Sequence, residues 1–173
     1  MYTIKTERIL KILTGLMLAG LAFFIADAFR DKVVAVGDKA PDFSIVTDSG
    51  KQISRSSFGG RVLVLNFWAT WCPPCIEEIP SLDEFQKRLA PSGVVVLSVS
   101  VDQSEQAYRE FLKKANVSFL TARDPAAKIS ADYGTFKYPE TYVIDSTGKV
   151  VQKHIGAKLW TDENLVRSIQ GLL

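Results

Sequence analysis

The stretch Val62-Leu63-Val64-Leu65-Asn66-Phe67-Trp68-Ala69-Thr70-Trp71-Cys72-Pro73-Pro74-Cys75, continued to Leu89 as IEEIPSLDEFQKRL, decides the fold. Val62–Trp68 is nearly continuous apolar sequence, the mark of a strand buried on both faces, as in a parallel sheet. Ile76, Ile79, Leu82, Phe85 and Leu89 recur at helical spacing. Ile76–Leu89 therefore reads as a helix whose apolar stripe covers one face of that sheet. Both cysteines of the chain lie between this strand and this helix. With no third cysteine, the pair does not staple distant parts of the chain together.

The alternation continues downstream. Val94–Val101 (VVVLSVSV) reads as a second buried strand, and Ser104–Ala115 as a helix with Ala107, Tyr108, Phe111 and Leu112 inward. Such β-α-β crossovers are nearly always right-handed. The pattern then changes. Asp124–Tyr133 reads as a short helix. Thr141–Asp145 and Lys149–Ile155 read as strands joined by the hairpin signal Asp145-Ser146-Thr147-Gly148. Thr161–Leu172 closes the chain as a helix with Leu165, Ile169 and Leu172 inward. Thr161 is its expected N-cap, and Asp162 and Glu163 suit the positive helix end. Upstream, Phe43–Val46 and Gln52–Ser54 flank Asp48-Ser49-Gly50 and predict a small hairpin. The sum is an α/β fold: a central mixed sheet, helices on both faces and an N-terminal β-hairpin extension.

The chain has 173 residues, close to one domain at roughly 150 residues each. Apolar residues make up 47% and charged residues 23%. These globular values exclude a disordered chain, a collagen-like repeat and a disulfide-dense miniprotein. The net charge of +2 arises in the first eleven residues, where Lys5, Arg8 and Lys11 outnumber Glu7. The rest is neutral and has no basic stripe, which argues against a nucleic-acid binder.

Ile12–Ala26 (ILTGLMLAGLAFFIA) is fifteen residues without a charge. Basic residues precede it, the positive-inside pattern that leaves the body of the protein outside the cytoplasm. A membrane span needs about 20 residues. Running from Ile9 to Phe29 reaches that length if Lys11 snorkels. A cleavable signal peptide fits the short apolar core and the A-x-A-like Ala26-Asp27-Ala28. A buried core helix fits poorly, because the stretch has no polar face. Residues 1–30 are thus expected to form a signal anchor or signal peptide, the anchor being favoured. Residues 31–173 form the extracytoplasmic domain. The expected location is the cell membrane, with the domain on the periplasmic or outer side. Secretion to the periplasm after cleavage near Ala28 is the alternative.

Cys72 falls at the helix start, where free N–H groups and the macrodipole favour negative charge. A thiol there has a lowered pKa and becomes a nucleophile. Cys75 follows within one turn, placed to attack a mixed disulfide formed at Cys72. With Cys72 as N-cap, Pro73 and Pro74 tolerate the first turn but supply no N–H. The N–H of Cys75 is then the expected local donor to the sulfur. Other chemistries fit less well. A zinc site takes about four ligands, and the pair supplies two, with His154 the only histidine in the chain. Haem attachment needs His after the second Cys, where Ile76 stands. An inert structural disulfide would rarely span two residues at a strand-to-helix junction. Dithiol–disulfide exchange is the favoured reading.

Asn66–Cys75 (NFWATWCPPC) resembles the active-site stretch of the thioredoxin superfamily. The apolar N-terminus, the opening Val36-Gly37-Asp38-Lys39-Ala40-Pro41-Asp42-Phe43 and Glu78-x-Pro80 resemble the TlpA/ResA/CcmG branch. These are membrane-tethered thiol–disulfide oxidoreductases, several serving cytochrome c maturation. The resemblance implies a thioredoxin-like fold over about residues 36–172, and no cofactor or metal. It makes Cys72 the attacking and Cys75 the resolving cysteine of a redox disulfide, Glu78 an active-site acid and Pro80 a helix kink. Pro139, in Tyr138-Pro139-Glu140-Thr141, matches the cis-proline facing that disulfide. Tyr138 and Trp71 would line the substrate surface. The implied partners are a disulfide-containing protein, apocytochrome c among the candidates, and a membrane electron donor of the DsbD/CcdA type.

Two departures stand out. Asn66 occupies the place of the buried Asp of thioredoxins, which leaves Glu78 as proton acceptor for the resolving thiol. Gln103, beside Asp102, stands where some ResA-like chains carry a second acid. The uncharged Pro-Pro pair lacks the helping His of DsbA-type oxidants and favours a reductase. Two rivals stay open. A peroxiredoxin-like thiol peroxidase shares the Ala40-Pro41-Asp42-Phe43 opening, although Thr70-Trp71-Cys72 departs from Thr-x-x-Cys. A non-enzymatic copper or metal carrier would use both thiols, with His154 as spare imidazole. Otherwise His154 reads as a plain strand residue, Trp68 as core and Lys113-Lys114 as a solvated face.

Overall fold

The computed structural model describes residues 2–28 and 33–173, and the chain divides into two units. The first holds helix α1 (Tyr2–Ala28), whose described side chains, 7–24, are exposed. Among the described residues no helix is long and apolar enough to cross a membrane. Glu7, Arg8 and Lys11 share α1 with the apolar run. The expected boundary at 30/31 lies outside the described residues.

The second unit, Val33–Leu173, is built on β3 (Val62–Trp68), the strand whose seven residues are all buried. The sheet order is β5 (Leu120–Arg123), β4 (Val94–Ser100), β3, β6 (Glu140–Ile144) and β7 (Val150–Ile155). Strands β4 and β5 run parallel to β3, whereas β6 is antiparallel to it and β7 antiparallel to β6. The expected mixed sheet is therefore present. It gains one strand, β5, that the sequence did not announce: LTAR is short and carries only one large apolar residue.

Alternation along β3 sends side chains to two cores. Val62, Val64 and Trp68 pack with Leu82 and Phe85 of α2 (Pro73–Leu89), Tyr108 of α3 (Glu105–Ala115) and Ile169 of α5 (Glu163–Gln170). Leu63, Leu65 and Phe67 pack with Tyr142, with Ile129 of α4 (Lys128–Asp132) and with Ile53 of the hairpin β1–β2 (Ser44–Val46 and Gln52–Ser54). Fully burying each such side chain contributes roughly 1.5–3 kcal/mol, so the two clusters pin α2 and the hairpin to opposite faces. The hairpin also shields the sheet edge. Thr47 bridges to Ala122 of β5, and the Asp48 N–H donates to the Thr121 carbonyl. An unpaired edge would otherwise invite pairing with another chain.

Two local expectations are corrected. The N-cap of α5 is Asp162, not Thr161: its carboxylate accepts the N–H groups of Asn164 and Leu165. A charged acceptor makes the stronger bond at the positive helix end. Ala107 is exposed, because α3 docks through Tyr108 with Phe111 and Leu112 half-buried beside it. Ser104 caps α3 as its position suggests, accepting the Ala107 N–H.

Candidate active site

The site grows from polar residues that interrupt apolar strands. Asn66 pairs in register with Ser98 on β4 and with Thr141 on β6, and Thr141 pairs with His154 on β7. Residues opposite one another in register share a face, so these four form one polar row across the sheet. The Ser98 hydroxyl donates to Asn66 Oδ1 at 2.8 Å. Asn66 Nδ2 donates to Thr141 Oγ1 at 3.0 Å and to Glu78 Oε1 at 2.9 Å. That last bond ties the row to α2.

Glu78 is 3% exposed. Its other oxygen, Oε2, accepts the backbone N–H of Lys158 at 3.1 Å and the Trp160 indole N–H at 3.3 Å. Burial pushes the Glu78 carboxyl above its ordinary value, and the donors from Lys158, Trp160 and Asn66 pull it back in part. Ser81 fastens the same loop. Its hydroxyl donates to the Glu78 carbonyl at 2.9 Å, and its Oγ accepts the Trp160 N–H at 3.2 Å. The Trp160 ring packs on Phe85 and against the edge of His154, with centroids 5.5 and 5.8 Å apart. Burial first, then the Lys158 charge, lowers the His154 pKa.

The cysteines sit where expected. Cys72 is the N-cap of α2, in extended conformation, and Pro73 and Pro74 fill the first two helical positions. Cys72 and Cys75 form a disulfide. Their burial differs: Cys72 keeps 6% of its surface open and Cys75 none. One expectation is corrected. The Cys75 N–H donates to the Cys72 carbonyl at 3.0 Å, and the Ile76 N–H joins it at 3.2 Å. The capping carbonyl closes the first helical bonds, so in the oxidised form that N–H does not serve the sulfur. The loop before the pair is fixed by buried Asp102. It accepts the Thr70 N–H at 2.9 Å, the Thr70 hydroxyl at 2.7 Å and the Ser100 hydroxyl at 2.6 Å. Gln103 beside it is exposed.

Trp71 stands 64% exposed and meets Tyr138 edge to face, centroids 6.0 Å apart. The Tyr138–Pro139 bond is cis. Pro139 is buried, and its carbonyl accepts the Gly156 N–H. The structure thus gathers Cys72, Cys75 and Glu78 along the first turns of α2, and Trp71 with the Tyr138–Pro139 turn. Pro80 lies inside α2. Sequence reasoning missed Trp160, the Lys158 backbone, Ser81, Ser98 and Thr141. A signal for Ser98 existed, as the polar break in VVVLSVS. Lys158 and Trp160 come from a distant loop with no local pattern. Among the described residues no group of three or more His, Cys, Asp or Glu side chains could hold a metal. The geometry suits disulfide exchange: a cysteine at a helix mouth that keeps a small opening, a fully buried partner cysteine and a buried acid one turn on.

Comparison with known proteins agrees. A family profile described as Redoxin matches residues 35–169. The chain is similar to a thiol–disulfide oxidoreductase ResA of Bacillus cereus, 32% identical over 96% of each chain. It is similar to the thioredoxin-like protein YneN of Bacillus subtilis (strain 168), 35% identical over 84% of this chain and 90% of that one. A crystal structure from Chlorobium tepidum, of a candidate thiol:disulfide interchange protein DsbE, superposes with a TM-score of 0.75 and 32% identity, covering 80% of this chain and 98% of that one.

Proposed function

We propose that this chain, which belongs to the Redoxin family and is a thiol–disulfide oxidoreductase of the ResA/DsbE-like kind, reduces disulfides of client proteins outside the cytoplasm. The observation that carries the reading is the unequal burial of two bonded cysteines at the N-terminus of α2. An incoming sulfur can reach only the one that keeps an opening.

In the reduced enzyme the Cys72 thiolate attacks a client disulfide. A Cys72–client mixed disulfide forms, and one client thiolate leaves. Cys75 gives its proton to Glu78, and its thiolate attacks Cys72 Sγ. The second client thiolate leaves, and the Cys72–Cys75 disulfide remains. Two electrons have passed from the enzyme dithiol to the client. Trp71 and Tyr138, the latter held by the cis bond to buried Pro139, form the surface on which the client chain lies. A dithiol donor in the membrane, of the DsbD/CcdA type, returns the pair to the reduced form. Apocytochrome c, which must present free thiols to haem, is the client that the ResA-like resemblance supports. The basic residues ahead of the apolar run support a membrane anchor with the domain outside, and cleavage near Ala28 is the alternative.

A Cys75→Ser variant tests the exchange. It should accumulate client proteins on Cys72 through a reducible bond, while Cys72→Ser accumulates none. Equal trapping by both variants contradicts the assignment. Intact mass of the membrane-extracted protein tests the anchor, which loss of residues 1–28 would overturn. Peroxide turnover or copper uptake in place of client reduction would favour one of the rival chemistries.

A further inference from the structure

The two oxygens of Glu78 are not equivalent. Oε2 faces two N–H donors, the Lys158 backbone and the Trp160 indole. Neither can accept, so a proton placed on Oε2 would point at other hydrogens. Oε1 faces Nδ2 of Asn66. Asn66 is the member of the cluster whose role can invert, because a half-turn of its amide exchanges donor for acceptor. As it stands, both Nδ2 hydrogens are used, on Glu78 Oε1 and Thr141 Oγ1, and Oδ1 accepts from Ser98. After a half-turn, Oδ1 faces Glu78 and Thr141, while Nδ2 keeps Ser98 and strands one N–H. The network therefore fits ionised Glu78 with both Asn66 N–H groups and its carbonyl oxygen bonded. It fits protonated Glu78 with the amide reversed: three bonds again, but one Asn66 N–H left without an acceptor.

We propose that Asn66 is a positioning residue for proton exchange: its amide holds Oε1 of Glu78 as the proton-accepting oxygen and reverses when that oxygen takes the proton. This rests on the reading of Glu78 as acceptor for the Cys75 thiol. The Cys75 S–H bond breaks, its proton bonds to Oε1, and the sulfur keeps the electron pair with which it attacks Cys72. Reversal leaves a buried N–H without a partner, which favours return of the amide and release of the proton once Cys75 is oxidised. An aspartate at position 66 would take up a proton itself. The asparagine carries no proton of its own and reports that of Glu78 through its orientation. Other titratable groups facing the cluster are His154 beneath Trp160, Lys158 in the loop and Cys75 on α2, so controls must isolate Glu78.

Nuclear magnetic resonance of the full, oxidised protein tests this without any client. The Asn66 side-chain amide should shift with the same pH midpoint as the Glu78 carboxyl carbon, and lose that midpoint in Glu78→Gln. A Glu78 titration that leaves the Asn66 amide unmoved overturns the proposal. So does an Asn66 midpoint that survives Glu78→Gln. A kinetic arm uses client-peptide reduction against pH. Asn66→Ala should move the acid-side midpoint to higher pH, by at least threefold in proton concentration, and should move nothing further in a Glu78→Gln background. An equal shift in both backgrounds marks a merely structural role and overturns it. If Asn66→Ala does not fold, the resonance arm on the wild-type protein decides alone. Failure of the wild-type protein to reduce any disulfide peptide would instead sink the functional reading, with the resonance arm still deciding this one.

Discussion

Replacing Trp160 by Phe isolates what one indole N–H does for the buried acid. The Trp160 side chain is fully buried, packed on Phe85 and His154. Phe keeps a ring in that place and removes the donor that reaches Glu78 Oε2 at 3.3 Å. Hydrogen bonds to charged groups contribute roughly 1.5–3 kcal/mol, and a bond of this length belongs at the lower end. The ionised carboxylate gains most from it. A loss of about 1.4 kcal/mol from that form corresponds to about tenfold in proton affinity. Removing a donor to the anion tightens proton binding, so the midpoint moves to higher pH. The smaller ring also leaves a gap costing about 1–3 kcal/mol of stability. The assay is stopped-flow release of a fluorescent thiol from a mixed disulfide with Cys72, followed against pH. The acid-side midpoint should rise by about tenfold in proton concentration, with the plateau rate unchanged. A folded variant whose midpoint stays put, or falls, refutes the assignment of Glu78 as the proton acceptor steered by Trp160.

Glu78→Gln should change how stability depends on pH. Burial holds the folded-state pKa above the ordinary 4.5. The stabilising contribution of this group is therefore complete below the unfolded value and lost as pH rises through the folded one. Urea unfolding at a series of pH values should show the variant gaining on the wild type from pH 4.5 upward, and a constant difference contradicts this. Equilibration with glutathione buffers should place the Cys72–Cys75 couple near that of thioredoxin, about −270 mV. A value near that of DsbA, about −120 mV, reverses the direction of electron flow. Asp102→Ala strands the Thr70 N–H and two hydroxyls. It should cost about 1–3 kcal/mol and speed hydrogen exchange at the Thr70 amide, and unchanged exchange would show that another group holds the loop.

The framework was legible where physics is local. VLVLNFW and VVVLSVS are apolar enough that only a strand buried on both faces accommodates them. The stripe Ile79, Leu82, Phe85 and Leu89 leaves one way to cover them. The Cys pair was legible for the same reason, since helix start, thiol and prolines are adjacent in sequence. What escaped depends on long-range pairing. β5 exists because it bonds to β4, not because LTAR insists on being a strand. Thr161 and Asp162 are both capping residues, and the helix takes the charged one as its N-cap. The acid's surroundings escaped most completely. Glu78 was singled out, yet its donors come from β3 and from a loop some eighty positions later. No periodicity records such a meeting. Asn66 was noticed as a missing aspartate, and its position in a polar row emerged only from the strand register.

The most direct test compares the two sulfurs themselves. After reduction of the full chain, brief treatment with iodoacetamide and peptide mass mapping read which thiol is open and ionised. Cys72 should be modified first, with a midpoint below the ordinary thiol value of about 8.5, and Cys75 should be protected until the chain is unfolded. Modification of Cys75 first, or of both at one rate, would contradict the account.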